Sequence, residues 1–280
     1  MRRILITGAN SYIGLSLENY LKRWPDDYRI DTFDMIDGSW RQKDFHGYDC
    51  VFHVAGIAHK KETQETAQSY YAVNRDLAIE TARRAKSANV PHFIFLSSMS
   101  IYGMDTGVIT PMTQPMPKTH YGTSKWQAEQ ELQKLVDTSF GIAILRPPMV
   151  YGKGCRGNFQ SLLHFARTCS FFPLVQNQRS MVFIDTLCAF VKQIIDQKAQ
   201  GVFFPQNQEY MQTSQMVRWM GEALGKRISL SRILGVGVKC LYPFSRTVQK
   251  AFGTLIYQGC GDYGFSCDAE TVENSVKQSV

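Results

Sequence analysis

The chain has 280 residues and nowhere approaches the roughly 18 consecutive apolar residues that a membrane-spanning helix requires. Its opening Met1-Arg2-Arg3 passes into an apolar stretch far shorter than the core of a secretory signal. The expectation is a cytoplasmic protein with no membrane span. Seven cysteines are scattered at 50, 155, 169, 188, 240, 260 and 267 with no CxxC pair, which favours reduced thiols over a disulfide framework or a zinc site. The six histidines also lack metal-ligand spacing, so no metal is expected. Net charge is +7, but the basic residues are dispersed, as in Lys60-Lys61, Arg83-Arg84 and Lys226-Arg227. Without a basic stripe or interleaved aromatics, nucleic acid is not the expected partner, whereas a small ligand carrying its own phosphates would profit from the same field. No internal repeat or low-complexity segment is present. What remains, 20% charged and 44% apolar, belongs to a globular chain able to bury a large core.

Apolar runs of strand length alternate with helical patterns along that chain. Arg3 to Thr7, Tyr28 to Phe33, Cys50 to Phe52, His92 to Leu96, Ile142 to Leu145, Met181 to Ile184 and Val202 to Phe204 read as strands. Helical stretches lie at Leu15 to Arg23, about 66–87, around Tyr121 and at about 186–197. Such alternation predicts an α/β fold, a doubly wound parallel sheet with helices on both faces. Met216, Trp219, Met220 and Leu224 recur at helical spacing and read as packing. The tail, 231–280, is assigned loosely to helices of a smaller lobe. Within it, Arg232 to Tyr257 is expected to pack in the core, with contact to a membrane or a partner enzyme as the alternative.

Two local patterns carry chemistry. Gly8-Ala9-Asn10-Ser11-Tyr12-Ile13-Gly14 joins the first strand to the first helix. Glycines there permit positive φ and close backbone approach, and free amides at the helix start attract a pyrophosphate. Gly8, Asn10, Ser11, Tyr12, Ile13 and Gly14 are therefore candidate dinucleotide contacts. Asp34 follows the second strand, where a carboxylate accepts both ribose hydroxyls and repels a 2′-phosphate, favouring NAD with NADP possible. The second pattern is Tyr121-Gly122-Thr123-Ser124-Lys125. A tyrosine and a lysine four apart share one helix face, and an ammonium that stabilises a phenolate makes an acid–base pair.

The turn, Asp34, His53-Val54-Ala55-Gly56, Ser97-Ser98, Tyr121 and Lys125, in this order, resemble the extended short-chain dehydrogenase/reductase family, in its nucleotide-sugar epimerase, dehydratase and reductase branch. The resemblance covers nearly the whole chain. One departure is visible: Ser11 replaces the middle glycine of the family turn, and weakened geometry is expected there. The resemblance implies a Rossmann-type core over 1–150, with a return at about 181–204, and a substrate-binding lobe from 151–180 and 205–280. It places Ala55, Gly56 and Pro147 along the dinucleotide and Asp44 and Phe45 by the adenine, and has Asn74 supporting the lysine or an active-site water. It makes Ser98 the catalytic hydroxyl beside Tyr121 and Lys125, with Ser97 and Ser100 as competitors and Ser100 a substrate contact. Asn158 and Phe159 are implied to touch nucleotide or sugar. Arg179, six residues before Asp185, is implied to reach the diphosphate, a task suited to a guanidinium fork.

Met99 and Ser100 stand where 4,6-dehydratases of the branch carry an Asp-Glu pair, so dehydration is disfavoured. The segment Arg146-Pro147-Pro148-Met149-Val150-Tyr151-Gly152, continuing to Gly157-Asn158-Phe159, is similar to bacterial reductases of UDP-linked 4-keto-6-deoxy-N-acetylhexosamines for surface polysaccharide. The expected activity is NAD(P)-dependent reduction of a 4-keto nucleotide sugar. A UDP-sugar 4-epimerase is the first alternative, and a non-catalytic dinucleotide-sensing or assembly protein the second. A homodimer paired through the helices after Thr66 and around Tyr121 is also implied.

Overall fold

The computed structural model describes residues 1–58, 63–261, 263 and 270–280; Lys60, Lys61 and Cys267 lie outside them. The chain opens with β1 (Arg2–Thr7), α1 (Tyr12–Leu21), β2 (Tyr28–Phe33) and β3 (Cys50–His53). Next come α2 (Gln64–Tyr70) and α3 (Leu77–Ser87), joined by wide π-helical turns over Tyr71–Asp76, then β4 (His92–Leu96), the short β5 (Gly107–Ile109), α4 (His120–Gln133) and β6 (Gly141–Leu145). The remainder holds β7 (Met149–Tyr151), α5 (Asn158–Thr168), β8 (Phe171–Pro173), β9 (Met181–Phe183), α6 (Ile184–Gln197) and β10 (Gly201–Phe203). Last are α7 (Thr213–Ala223), β11 (Ser229–Ser231), α8 (Arg232–Leu241), α9 (Arg246–Phe252), β12 (Leu255–Tyr257) and α10 (Val272–Gln278).

Six strands form one parallel sheet in the order β10-β6-β4-β3-β1-β2. From β1 the chain moves outward to β2, then returns to β3 on the other side of β1. A crevice therefore opens at the carboxyl ends of β1 and β3, where strand order reverses. This is the doubly wound, Rossmann-type sheet expected from the alternation of patterns.

Burial on both faces explains why these strands read as unbroken apolar runs. Ile4, Ile6, Phe52 and Ile94 point to one face and pack with Leu17 and Leu21 of α1 and Leu187 and Val191 of α6. Leu5, Val51, Phe93 and Phe95 point to the other, against Ala78, Ala82 and Ala85 of α3 and Ala128 and Leu132 of α4. The alanines let α3 lie close to the sheet. Met216 and Met220 of α7 are core residues, as their spacing suggests.

Three expectations change in detail. The single helix over 66–87 is divided by the π-helical segment, which carries the buried Asn74 inward; such widenings occur frequently at functional sites. Of the stretch 181–204, α6 packs on the large sheet's helix α1 and β10 joins the sheet, whereas β9 pairs with β7 outside it. Two further parallel pairs, β8 with β11 and β5 with β12, tie the remaining segments together. Finally, Arg232 to Tyr257 does not go wholly into the core. α8 touches the protein through the buried Gly235, where an added Cβ would stand 2.3 Å from the Leu174 carbonyl oxygen. Most of its other apolar side chains face outward: Ile233 is 84% exposed, and Phe244, in the turn that follows, is 88% exposed.

Phe93 of β4 has no exposed surface. Phe93→Ala is expected to cost about 3–5 kcal/mol through lost burial and an unfilled cavity, read as a lower urea midpoint with an unchanged slope.

Candidate active site

The crevice is closed at its floor by backbone. Gly8 has φ +92°, and a Cβ there would lie 2.8 Å from the Ala55 nitrogen. Only glycine lets the loops after β1 and β3 meet so closely. The left-handed position that follows is Asn10, at φ 68°. Ser11 has φ −71°, ordinary extended backbone, and its Oγ accepts from the Gly14 amide at 3.2 Å as the N-cap of α1. The weakened geometry expected at this position is therefore absent: the strain falls on Gly8 and Asn10, and the serine is spent on capping. Ahead of it, the amides of Tyr12 and Ile13 begin the helix and have no acceptor within it.

Asp34 stands exposed just past β2, with Oδ1 accepting from the Ile36 amide at 2.9 Å. Across the crevice, Gly56 is exposed beside Lys125, whose Nζ would lie 3.4 Å from a Cβ at Gly56. Asn74 fastens this loop: its Oδ1 accepts from the Ile57 amide at 2.9 Å, and its Nδ2 donates to the Ile57 carbonyl at 3.0 Å and to Ser124 Oγ at 3.3 Å. The side chain expected to support the lysine thus clamps the backbone next to it. A cradle that any Cβ would fill, open amides at a helix start and a carboxylate at the end of β2 together fit a dinucleotide.

Tyr121 and Lys125 lie one turn apart on α4, whose first turn is capped by Thr119. Gly122 permits α4 to rest on the turn formed by Met99–Tyr102, since a Cβ there would be 2.6 Å from the Ser100 carbonyl oxygen. That seating brings the half-buried Tyr121 to Ser98. Burial raises the Tyr121 pKa, opposed by a hydrogen bond with Ser98 and reinforced by Tyr70, whose ring stands edge-on at 6.0 Å. Ser98 also caps the short turn after β4 and donates to Ser100 Oγ at 3.1 Å. Met99 donates to the Pro147 carbonyl at 2.9 Å, placing Pro147 at the same strand ends.

Lys125 is 4% exposed and donates to the Leu96 carbonyl at 2.7 Å. Burial lowers its pKa to about 7, partly offset by Glu129. His53 beneath it is held neutral, its pKa pushed down to about 3 by burial and by the Lys125 charge. The ammonium is thus turned to a carbonyl, and the contribution that opposes the rise in the phenol's pKa comes from Ser98.

A network that sequence reading missed lies behind these groups. Arg146, at the end of β6, holds Glu129 through Nη2–Oε2 at 2.6 Å and through Nε to both carboxylate oxygens. Ser97 also donates to Glu129, and Arg146 donates to Tyr102 Oη at 2.8 Å. Burial opposes the charge on Arg146, but the bonds to Glu129 outweigh it and raise its pKa. A signal existed: Glu129 is one turn beyond Lys125, and Arg146 is a lone charge closing an apolar strand.

The remaining expected contacts have differing surroundings. Phe159 is fully buried and stacks on Tyr151 at 5.6 Å, so its ring serves the core and cannot meet a ligand. Phe45 is 2% exposed and packs edge-on against Phe33, so only its backbone is free to contact an adenine. The Asp44 carboxylate is taken by the amide and ring of His46. Both line a groove of about 1020 Å³ on the outer side of α3 and α4, away from the Ser98 and Tyr121 side chains. Asn158 is exposed at the start of α5. Arg179 is half-buried, and its Nη1 donates to the Gly253 carbonyl at 3.0 Å.

A family model described as the NAD dependent epimerase/dehydratase family matches residues 4–203. The chain is 34% identical over 187 residues to a UDP-glucose 4-epimerase of Vibrio cholerae, covering 63% of this chain and 57% of that protein. It is 25% identical over 246 residues to the N-acetyl-alpha-D-glucosaminyl-diphospho-ditrans,octacis-undecaprenol 4-epimerase of Escherichia coli O157:H7, covering 80% of this chain and 73% of that one. In fold it is similar to UDP-glucuronic acid 4-epimerase from Bacillus cereus in complex with NAD, with a TM-score of 0.74 at 17% identity over 99% of this chain and 95% of that one.

Two stability measurements check this electrostatic layout. Glu129→Gln leaves Arg146 buried without its counter-charge and is expected to cost about 3–5 kcal/mol, read by urea unfolding; a loss under about 1 kcal/mol would mean that the pair is solvent-screened. Lys125 is deprotonated in the folded chain from about pH 7 upward, while the unfolded chain keeps its proton up to the ordinary 10.5. Stability should therefore rise with pH across that window, and Lys125→Met should flatten the rise; parallel pH profiles for the two proteins would contradict the assignment.

Proposed function

Because the chain belongs to the NAD dependent epimerase/dehydratase family, we propose that it exchanges hydride and proton at a ring carbon of a diphosphate-linked sugar, reducing a 4-keto group to an alcohol. The observation that carries this reading is Ser98 hydrogen-bonded to Tyr121 at the mouth of the crevice, with Lys125 buried beside it. The ligand set proposed for NAD, with NADP possible, comprises Gly8, Asn10, Ser11, Tyr12, Ile13, Gly14, Asp34, Ala55, Gly56, Asn74, Tyr121, Lys125 and Pro147. Bound there, a reduced nicotinamide supplies the hydride.

The protein's own part is to polarise and protonate. Ser98 Oγ donates to the ketone oxygen and strengthens that bond as negative charge develops. Tyr121 delivers its proton to the forming alkoxide. A phenol whose pKa is raised by burial is neutral near pH 7 and ready to donate, which suits reduction. Lys125, its pKa brought to about 7 by burial, would hold the cofactor ribose, and burial together with the Lys125 charge keeps His53 neutral. Arg179 lies in the lobe where a diphosphate is expected, and Ser100 and Asn158 complete the exposed polar rim.

A second reading, 4-epimerisation, is favoured by the Vibrio and Escherichia relatives, both 4-epimerases. The Escherichia relative also widens the carrier of the sugar from a nucleoside to a lipid diphosphate. A homodimer pairing the outer faces of α3 and α4 is proposed for either case.

Tyr121→Phe is expected to lower kcat about 10²–10⁴-fold with nicotinamide affinity retained, measured by stopped-flow and by cofactor titration. Incubation with UDP- and dTDP-linked 4-ketosugars and each reduced nicotinamide, followed by product NMR, should show cofactor consumed in step with product. Interconversion of 4-epimers with no net cofactor change would select the second reading, and neither outcome would remove both.

A further inference from the structure

α8 inverts the usual surface helix. Its inward side is small, with Gly235 buried and Val238 half-buried against the β8 region. Its solvent side is apolar: Ile233, Val236 at 59% and Leu241 at 57% exposed, continued by Phe244 before α9. Surface helices of globular proteins normally bury that stripe, and contiguous exposed apolar area marks an interaction surface. Phe171, on the strand β8 that α8 packs against, is a further exposed ring.

The charge carried by this stretch of chain has one sign. Between Glu222 and Asp262 the sequence has six basic residues, Lys226, Arg227, Arg232, Lys239, Arg246 and Lys250, and no carboxylate. Arg246 and Lys250 of α9 lean on Asp105 at 2.6 and 3.7 Å, which fixes α9 to the lobe. Arg232 and Lys239 have no acidic partner among the described residues and border the apolar face. The unit is not a loose appendage: Tyr242 accepts from Gln249 at 2.9 Å, and Gly253, just past α9, takes both Arg179 and Asn177.

We propose that the outer faces of α8 and the turn to α9 dock on an anionic bilayer surface. A helix of 10 residues is about 15 Å long, half of the roughly 30 Å hydrocarbon core, so it lies in the interfacial plane and does not cross. Ile233, Val236, Leu241 and Phe244 enter the acyl boundary, while Arg232 and Lys239 meet lipid phosphates. Among described residues no helix is long and apolar enough to span a membrane, which agrees with docking in the plane. Docking presents Arg179, one hydrogen bond from the end of α9, near the headgroup layer. The inference does not rest on the proposed reaction.

The full chain is tested by co-sedimentation with vesicles of phosphatidylcholine alone and with about one-third phosphatidylglycerol. Binding to the anionic vesicles is expected, at least tenfold weaker on phosphatidylcholine and weakened by salt. Ile233→Ser with Phe244→Ser should reduce it at least tenfold, and Arg232→Glu with Lys239→Glu should abolish the preference for anionic lipid, all with unchanged circular dichroism and thermal midpoint. Absence of vesicle binding by the wild type overturns the proposal. So does a wild-type oligomer that the Ile233→Ser, Phe244→Ser variant dissociates, because the patch is then covered by a second copy. Vesicle binding unaffected by either pair of substitutions also overturns it.

Discussion

The buried pair of Arg146 and Glu129 is the interaction on which the arrangement of Ser98, Tyr121 and Lys125 depends. It joins three elements that are distant in sequence: Arg146 closes β6, Glu129 lies on α4, and Ser97, which binds the same carboxylate, ends β4. Tyr102 and Tyr257 extend it into the second lobe, through the Arg146 guanidinium and its backbone carbonyl. Charges out of water are stable only when every donor and acceptor is met. The geometry of α4 against the sheet is therefore over-determined, and with it the position of Tyr121 above Ser98.

That rigidity has an electrostatic counterpart. One turn before Glu129, Lys125 pays a desolvation penalty that brings its pKa to about 7, and two turns before, Tyr121 is kept in its neutral form. One helix thus carries a carboxylate locked to a guanidinium, an amine poised near neutrality and a phenol able to give a proton. Their order along α4 follows depth, from the core to the crevice. Perturbed titration in groups that converge on one cleft is the pattern expected of a reaction site.

The second lobe is built differently. Short parallel pairs, β5 with β12, β7 with β9 and β8 with β11, hold it together, and each pairs segments far apart in the chain. Such a lobe has little sheet to cover and leaves α8 and α9 on its rim. An apolar outer face there, bordered by arginine and lysine, sets this region apart from the mixed-charge surfaces of α3 and α4.

The alternation of apolar runs, the Gly8 turn and the spacing of Tyr121 and Lys125 by themselves determined a doubly wound sheet with a crevice at its strand ends and, beside it, a helix that carries the tyrosine and the lysine one turn apart. These are local patterns whose period is imposed by strand and helix geometry. Only tertiary structure decided that Ser11 is an unstrained cap, that Asn74 is turned inward by a π-helical widening, and that Phe159 and Phe45 are core rings. It also decided that Arg146 meets Glu129 and that the apolar side of α8 faces outward. Long-range pairing and the direction of burial depend on which segments come together, and residue types alone do not encode a side chain's neighbour across the fold.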